Sequence, residues 1–301
     1  MLRIGTSGWN YPAGKGSWNG IFYPLPEHRE RGFDELRFYA ERFNTVEVNS
    51  TFYGQPRANV TLGWARRTPE NFDFAVKLFQ KFTHPKLSID QSPVTQADID
   101  AFRGGVDPLA AAGKLGPLLA QFPASFQRTA EAADYMEWLL KAFAGYDIAV
   151  ELRHRSWSDA PETMALLDQY KAAWVQIDEP KFKSSIRQDL VGGNAETYYL
   201  RLHGRNAKEW WDHAESEDRY NYFYSQQELA PIAEIVKDVR AIVKKAYLFM
   251  NNHFSAQSIA NAVTLKHMLD EPVTKRMPPE LVERFPDLAG IVSTFPRARL
   301  L

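Results

Sequence analysis

Three polar–apolar–polar triplets stand at the ends of apolar runs, and their residue types suit acid–base catalysis and anion binding. They are Glu47-Val48-Asn49, Glu151-Leu152-Arg153 and Arg201-Leu202-His203. In an extended chain, residues i and i+2 point to the same face, so each triplet directs two polar groups to one place. Burying such groups is costly unless they are paired or hydrated. The triplets therefore predict the floor of one active site.

The candidate catalytic groups are Glu47, Lys77, Glu151 and His203. Acid–base catalysis uses groups whose environments separate their pKa values, so we expect Glu47 or Glu151 as general base and His203 or Lys77 as general acid. Lys77 lies in an apolar run, where burial would lower its pKa and suit a base or a Schiff-base amine. The structural alternatives are a Glu–Arg pair across the fold and an ion pair of Lys77 with either glutamate.

Other side chains at the same strand ends suit substrate binding. Arg153 and Arg201 match an anionic group such as phosphate or carboxylate, and Asn49, Gln121 and Asn251 would orient it. Aromatic rings would stack on a flat or sugar-like substrate, although core packing is the commoner role of any single ring. The side chains expected to contact substrate are Trp9, Asn49, Tyr53, Gln121, Arg153, Trp157, Asp178, Arg201 and Asn251.

A divalent metal ion is an alternative use of the acidic groups. If a metal is bound, the ligands expected from their side-chain types are Glu47, Glu151, Asp178 and His203. These residues are scattered along the chain, and arginine and lysine accompany them at the strand ends. The sequence therefore favours a site without a metal, and no P-loop or zincin motif indicates another cofactor.

Composition excludes several kinds of protein. The 301 residues include no cysteine, which rules out disulfides, thiolate metal sites and cysteine nucleophiles. A formal net charge of −1 gives no overall attraction to nucleic acid or anionic membranes. The expected partner is a small anionic molecule, because arginine and lysine accompany the strand ends. Neither a signal peptide nor a membrane-length apolar stretch is visible, which predicts a cytoplasmic protein without membrane contact. The oligomeric state stays open.

Short apolar runs alternate with stretches of helical spacing, which is typical of parallel α/β folds. The strand candidates are Leu2–Ser7, Thr45–Asn49, Phe72–Phe79, Leu115–Phe122, Asp147–Leu152, Ala173–Asp178, Tyr198–His203 and Tyr247–Asn252. Eight strand–helix units in about 250 residues predict a (β/α)8 TIM-type barrel. An open doubly wound sheet is the alternative, but Gly5-Thr6-Ser7-Gly8-Trp9 lacks the glycine-rich dinucleotide fingerprint.

The chain is predicted to form a single domain, with residues 1–269 as the barrel. Residues 270–301 are punctuated by proline and are expected to pack on the barrel exterior as an extension. Two long connections rich in aromatic residues, 9–31 and 203–225, follow strands and are expected over the carboxyl ends of the strands. Ser225 and Glu228 predict a capping box at the start of the next helix.

These motifs resemble those of the domain-of-unknown-function 72 family, also called YecE-like. The segments that carry the resemblance are Gly5-Thr6-Ser7-Gly8-Trp9, Phe22-Tyr23-Pro24, residues 46–53, Phe74-Ala75-Val76-Lys77, Gln121-Phe122-Pro123, residues 150–153, Ser156-Trp157, residues 201–205, residues 222–225 and Phe249 with Asn251 and Asn252. The resemblance covers about residues 2–268 and leaves the tail after Asp270 outside. It implies a TIM-type barrel. It implies no activity, because the family is named for lacking an assigned one.

The leading functional hypothesis is an enzyme that performs acid–base chemistry on a small polar, anionic or sugar-like substrate at the carboxyl ends of the strands. One alternative is a metal-dependent barrel like sugar isomerases or endonucleases, which rests on likeness of fold alone. Another is a non-catalytic protein that binds a metabolite or nucleic acid. The net charge of −1 makes nucleic acid the least favoured ligand.

Overall fold

The computed structural model describes residues 1–84, 92–190, 196–212, 215, 217–273 and 275–296. Within these ranges the chain forms nine strands, which pair in parallel. They are β1 (Leu2–Thr6), β2 (Thr45–Val48), β3 (Asp73–Lys77), β4 (Leu115–Gln121), β5 (Ile148–Glu151), β6 (Ala173–Trp174), β7 (Gln176–Asp178), β8 (Thr197–Leu202) and β9 (Lys245–Met250). One sheet has the order β1-β9-β8-β7 and the other β2-β3-β4-β5-β6. The predicted α/β class with parallel strands is confirmed.

The run predicted as one strand over residues 173–178 is two strands, which corrects the predicted count of eight. Strand β6 pairs with β5 and β7 pairs with β8, so the chain changes sheet at Val175. The Gln188 side chain explains the break. Its Nε2 donates to Val175 O at 2.8 Å, and its Oε1 accepts from Ile177 N at 3.1 Å. These bonds occupy backbone groups that a neighbouring strand would otherwise pair.

The two sheets also approach each other where β1 lies beside β2. Ser7 forms a parallel bridge with Glu47, and the Gly8 backbone N–H donates to the Glu47 carbonyl at 2.8 Å. The close approach depends on Gly5, because a Cβ added there would lie 2.2 Å from the Thr45 carbonyl oxygen. A glycine inside a strand commonly marks such a backbone contact.

The Gly5→Ala substitution is expected to lower the free energy of unfolding by about 2 kcal/mol, because the new methyl group forces β1 away from β2. Chemical denaturation measures the loss. Gly63 is the matched control, since it lies in a helix and a Cβ added there meets nothing within 4 Å. Gly63→Ala is expected to stabilise the fold by about 0.5–1 kcal/mol. Equal effects at the two glycines would contradict the close contact between β1 and β2.

The helices lie between the strands along the chain. They are α1 (Glu35–Ala40), α2 (Ser50–Tyr53), α3 (Ala58–Arg67), α4 (Gln80–Thr83), α5 (Gln96–Ala111), α6 (Ala130–Ala142), α7 (Arg155–Ser158), α8 (Glu162–Gln169), α9 (Gln226–Arg240), α10 (Gln257–Met268) and α11 (Pro279–Arg284). The predicted capping box of Ser225 and Glu228 is present at the start of α9. Between β7 and β8 the described residues contain no helix, so this connection departs from a regular strand–helix unit.

The longer helices bury one apolar face against the sheets, as Phe102 of α5 and Met136 of α6 do. The segment after Asp270 joins the same core, because Leu281 and Leu288 are fully buried in it. Phe285 of this segment stacks on Phe223 with ring centroids 5.0 Å apart. The apolar side chains of the segment therefore hold it against the rest of the chain. None of the helices in the described ranges has the length and apolar character needed to cross a membrane.

Candidate functional site

A cavity of about 490 Å³ opens at the carboxyl ends of the strands. The described residues that line it are Gly8, Trp9, Asn10, Tyr11, Asn49, Ser50, Tyr53, Lys77, Gln121, Arg153, Arg201, Arg219, Tyr220, Asn251 and His253. Lys77 and Gln121 are the last residues of β3 and β4, and Arg201 is the penultimate residue of β8. The carboxyl ends of the parallel strands therefore bring together residues that are far apart in the sequence, as the triplets predict.

Arg201 joins the two sheets beneath the cavity. Its Nη2 donates to Glu47 Oε1 at 2.7 Å, and its Nη1 donates to Glu151 Oε2 at 2.5 Å. The other oxygen of Glu47 accepts from the Tyr199 hydroxyl at 2.7 Å. Tyr199 and Arg201 are two residues apart on β8, so both point to the same face. All four side chains are buried, and their hydrogen bonds offset the cost of burying the charges.

Arg201, Glu47, Glu151 and Tyr199 form a buried network, and its charges keep the carboxyl groups of both glutamates ionised. Burial alone would raise the pKa of Glu47, but the Arg201 charge outweighs it and brings the pKa below its usual range. For Glu151, burial is likewise outweighed by Arg201 and then Arg153, and the pKa lies well below its usual range. Burial lowers the pKa of Arg201, yet Glu151 and Glu47 reverse the effect and raise it. Both glutamates are therefore carboxylates at neutral pH.

Arg153 lies between the network and the cavity. Its Nε donates to Glu151 Oε1 at 2.7 Å, and its Nη1 lies 3.4 Å from Glu179 Oε2. Glu179 is buried, and this burial raises its pKa in spite of Arg153. Because Arg153 also lines the cavity, one guanidinium contacts the buried carboxylates and faces the space above them.

His203 is fully buried and neutral at neutral pH. Burial, reinforced by the charge of Arg201, lowers its pKa to about 4. Its Nδ1 is 2.8 Å from Asn251 Nδ2, and its Nε2 is 3.7 Å from Glu151 Oε1. The Nη2 of Arg153, which can only donate a hydrogen bond, lies 3.4 Å from the same Nε2. His203 therefore links the network to Asn251, which lines the cavity.

Lys77 lines the cavity as the last residue of β3, and its Nζ lies 4.0 Å from the centroid of the Phe52 ring. Burial and then the charge of Arg201 lower its pKa to about 7. No ion pair joins it to Glu47 or Glu151, which differs from the structural alternative considered above. The reason is that Arg201, Arg153 and the Tyr199 hydroxyl occupy the oxygens of these two carboxylates.

Aromatic rings form the walls of the cavity. Tyr11 stacks on His253 with ring centroids 4.2 Å apart, and Tyr220 lies 4.8 Å from the same imidazole. Trp9 packs edge-on against Trp64 at 5.5 Å. Tyr53 is at the rim with 76% of its surface exposed. Such walls suit a ligand with a flat or sugar-like face.

Two residues predicted to bind substrate are placed away from the cavity. Trp157 is fully buried, and its Nε1 donates to the Phe126 carbonyl at 2.7 Å. Asp178 accepts from Arg205 Nε at 2.8 Å and Nη2 at 2.7 Å and from the Tyr224 hydroxyl at 2.8 Å. The cavity lining includes neither residue, so the structure does not bring them to this cavity with the other predicted substrate-binding residues. Trp157 packs in the core, and Asp178 holds the 203–225 connection to β7.

The residues named as conditional metal ligands do not converge. Glu47 and Glu151 both face Arg201, whereas Asp178 faces Arg205. In the part of the chain that the structure describes, no three histidine, aspartate or glutamate side chains form a group suited to a metal ion. The surroundings of these three carboxylates suit ion pairs with arginine rather than the sharing of one metal cation.

Several residues of the site were missed by sequence reasoning. Tyr199 precedes Arg201 by two positions, so the alternation that defines the triplets could have found it. Glu179 directly follows Asp178, one position beyond the predicted strand. Arg219, Tyr220 and His253 lie outside the strands and reach the cavity through the course of their loops, for which the sequence contains no regular spacing.

The family model described as "Protein of unknown function DUF72" matches residues 3–283. The chain belongs to this family. The resemblance to the domain-of-unknown-function 72 family is thereby confirmed. The match continues past Asp270 into α11, so the expectation that the tail begins outside the family is corrected for residues 270–283.

This DUF72 chain is similar to proteins from several bacteria. It is 28% identical over 278 residues to the UPF0759 protein YunF of Bacillus subtilis (strain 168), covering 90% of this chain and 95% of that protein. A crystal structure of a DUF72 family protein from Thermotoga maritima MSB8 shares 34% identity and a TM-score of 0.76, covering 90% of this chain and 100% of that one. A family member from Enterococcus faecalis V583, at 23% identity and a TM-score of 0.77, covers 92% of this chain and 100% of its own and supports the fold alone.

Proposed function

We propose that this protein is an enzyme that performs acid–base chemistry on a small anionic substrate in the cavity above Arg201. The observation that supports this proposal is the charge of the side chains that line the cavity. Among the described residues, the lining has four cationic side chains, Lys77, Arg153, Arg201 and Arg219, and no carboxylate. Guanidinium and ammonium groups in a partly enclosed space favour phosphate or carboxylate groups. The glutamates that balance these charges lie below the lining.

In this proposal the residues in and below the cavity have different roles. Arg153 and Arg201 hold the anionic group, and Asn49, Gln121 and Asn251 bond to neighbouring polar atoms of the substrate. Glu47 and Glu151 fix the arginines and lie too deep to line the cavity, so in this proposal they position rather than transfer protons. Neutral His203 supports Asn251 from below.

Lys77 is the proposed acid–base group. Its pKa of about 7 lets it both accept and donate a proton near neutral pH, which is the condition for efficient proton transfer. A protein that only binds an anion would gain more from a lysine that stays fully charged. The lowered pKa of Lys77 therefore favours an enzyme over the non-catalytic alternative, although the cationic lining supports anion binding in both.

The proposal includes closure of the two sheets into one (β/α)8 barrel. Support comes from the Ser7–Glu47 bridge at β1 and β2 and from the single residue, Val175, between β6 and β7. Arg201 of one sheet contacts Glu47 and Glu151 of the other, which requires the two inner faces to oppose each other. In such barrels the active site is at the carboxyl ends of the strands, where this cavity opens.

Arg153→Met is expected to weaken the binding of inorganic phosphate by about 10- to 100-fold, because a charge-assisted hydrogen bond contributes about 1.5–3 kcal/mol. Titration calorimetry measures the affinity, and the variant's unfolding curve shows whether it is folded. The matched control is Arg187→Met, since Arg187 is an exposed arginine outside the cavity. Equal affinities for Arg153→Met and the unaltered chain, or an equal loss in both variants, would exclude this cavity as the anion site.

A further inference from the structure

We propose that Lys77 Nζ is a nucleophile that forms an imine with the carbonyl group of a small anionic aldehyde or ketone. The inference deepens the proposed function and rests on it, since the same cavity must first bind the anion, and it gives Lys77 a covalent role in place of proton transfer. It narrows the substrate class to phosphorylated or carboxylated carbonyl compounds. The geometry that supports it is the position of one lysine among arginines, with no carboxylate beside it.

Lys77 is partly buried, and its environment differs from that of the buried lysines Lys114 and Lys81. Lys114 Nζ donates to the carbonyl oxygens of Ala65 and Thr68, each at 2.7 Å, so it caps the end of α3. Lys81 Nζ is 3.0 Å from Asp98 Oδ2. Among the described residues, Lys77 Nζ has neither a hydrogen bond nor an ion pair, and its neighbour is the face of Phe52. Its amine is therefore open to a ligand in the cavity.

Burial and then the charge of Arg201 favour the neutral amine of Lys77, whereas the charges of Glu151 and Glu47 act against it. The oxygens of Glu47 and Glu151 are bound by Arg201, Arg153 and the Tyr199 hydroxyl, so neither carboxylate forms an ion pair with the ammonium group. Burial and the nearby arginine charges are the two conditions that produce nucleophilic lysines. The Phe52 ring also favours the charged ammonium form, because a ring face attracts a cation.

The same arginines indicate why the carbonyl compound must be an anion. A protonated imine is a cation, and forming it beside Arg153 and Arg201 without a counter-charge is unfavourable. A phosphate or carboxylate on the substrate supplies that counter-charge and also bonds to the guanidinium groups. The anion thus has two roles, since it fixes the carbonyl near Nζ and neutralises the product of the reaction.

The step needs no oxidant or reductant. The Nζ lone pair attacks the carbonyl carbon, a C–N bond forms, and the C=O π electrons move to oxygen. A proton passes from nitrogen to that oxygen to give a carbinolamine. A proton from solvent joins the departing hydroxyl group, so water leaves as the C=N bond forms, and the nitrogen keeps its remaining proton to give the protonated imine. The residues required are a neutral amine and donors that hold the anion, both of which line the cavity.

Reductive trapping tests the inference. The protein is incubated separately with dihydroxyacetone phosphate and with glyoxylate, sodium cyanoborohydride is added, and intact mass and peptide mapping locate the adduct. The expected result is a single adduct on Lys77 with at least one probe, suppressed by excess inorganic phosphate. The adduct is expected to disappear in Lys77→Arg and Lys77→Met and to persist in Lys183→Arg, which alters an exposed lysine outside the cavity.

The outcomes separate the imine from the proposed function. Labelling spread over exposed lysines, unchanged in Lys77→Arg, would overturn the imine. If phosphate binds and Arg153→Met weakens it, but neither probe labels Lys77, the imine is wrong and the anion site stands. If phosphate does not bind at all and Lys77 is unlabelled, both proposals are wrong. Because the adduct is mapped in the unaltered chain, the result does not depend on the folding of a variant.

Discussion

Arg201→Met is expected to lower the free energy of unfolding by about 3–5 kcal/mol, because it leaves two buried carboxylates without their shared partner. Arg201 bonds to Glu47 at 2.7 Å and to Glu151 at 2.5 Å, and all three side chains are buried. Methionine fills much of the volume, so the loss comes from charge rather than from a cavity. Denaturation with urea at pH 7 measures it.

Two comparisons identify the cause of this loss. Arg187→Met removes an exposed arginine and is expected to change the free energy of unfolding by no more than about 0.5 kcal/mol. Adding Glu47→Gln and Glu151→Gln to the Arg201 variant removes the uncompensated charges and is expected to recover part of the stability. A loss below about 1 kcal/mol in Arg201→Met would show that the buried ionic network does not stabilise the fold.

Acidification from pH 6.5 to 5 is expected to destabilise the protein through His203. The pKa of this imidazole is about 4 in the folded state because it is buried, and about 6.5 in the unfolded chain. Between these values the unfolded state binds a proton that the folded state does not, so stability falls as the pH falls. One such group contributes a slope of about 1.4 kcal/mol per pH unit, and about 3 kcal/mol in total by pH 4.

The slope is measured by urea denaturation at half-unit pH steps, and His203→Gln isolates the contribution of this residue. The variant has no imidazole to titrate, so its slope in this window is expected to be smaller by about 1 kcal/mol per pH unit, whatever its absolute stability. His253, with a pKa lowered to about 3 by burial, contributes equally to both proteins. Glu47 and Glu151 are present in both proteins and titrate mainly below this window in the unfolded chain, where the ordinary glutamate pKa is about 4.3. Parallel slopes would contradict a neutral buried His203.

The sequence was informative where side-chain alternation and strand ends coincide. Strand alternation directs residues i and i+2 to one side, and parallel strands end at the same edge of a sheet. These two rules bring together Glu47, Glu151, Arg201 and His203. The depth of these side chains below the cavity was not predictable from the sequence. Whether a carboxylate faces the cavity or an arginine below it depends on side-chain packing between the sheets, and no local spacing encodes that.

The errors arose from individual side-chain partners. A single amide, that of Gln188, divides the run 173–178 between two sheets. Asp178 lies at a strand end as predicted, but Arg205 and Tyr224 bind it before any ligand does. Trp157 has the residue type of a stacking platform, yet its indole is buried against Phe126. These outcomes depend on contacts formed between distant segments, which patterns of residue type do not specify.

The position of Arg201 also bears on folding kinetics. Its bond to Glu47 closes a separation of 154 residues, and its bond to Glu151 closes one of 50. Contacts of such long range form late, after most of the chain entropy has been lost. A late contact stabilises the native state more than the folding transition state, so its loss accelerates unfolding rather than slowing folding. We therefore expect stopped-flow measurements on Arg201→Met to show its effect chiefly in the unfolding rate, which would make the charged floor of the cavity a determinant of how long each native molecule persists.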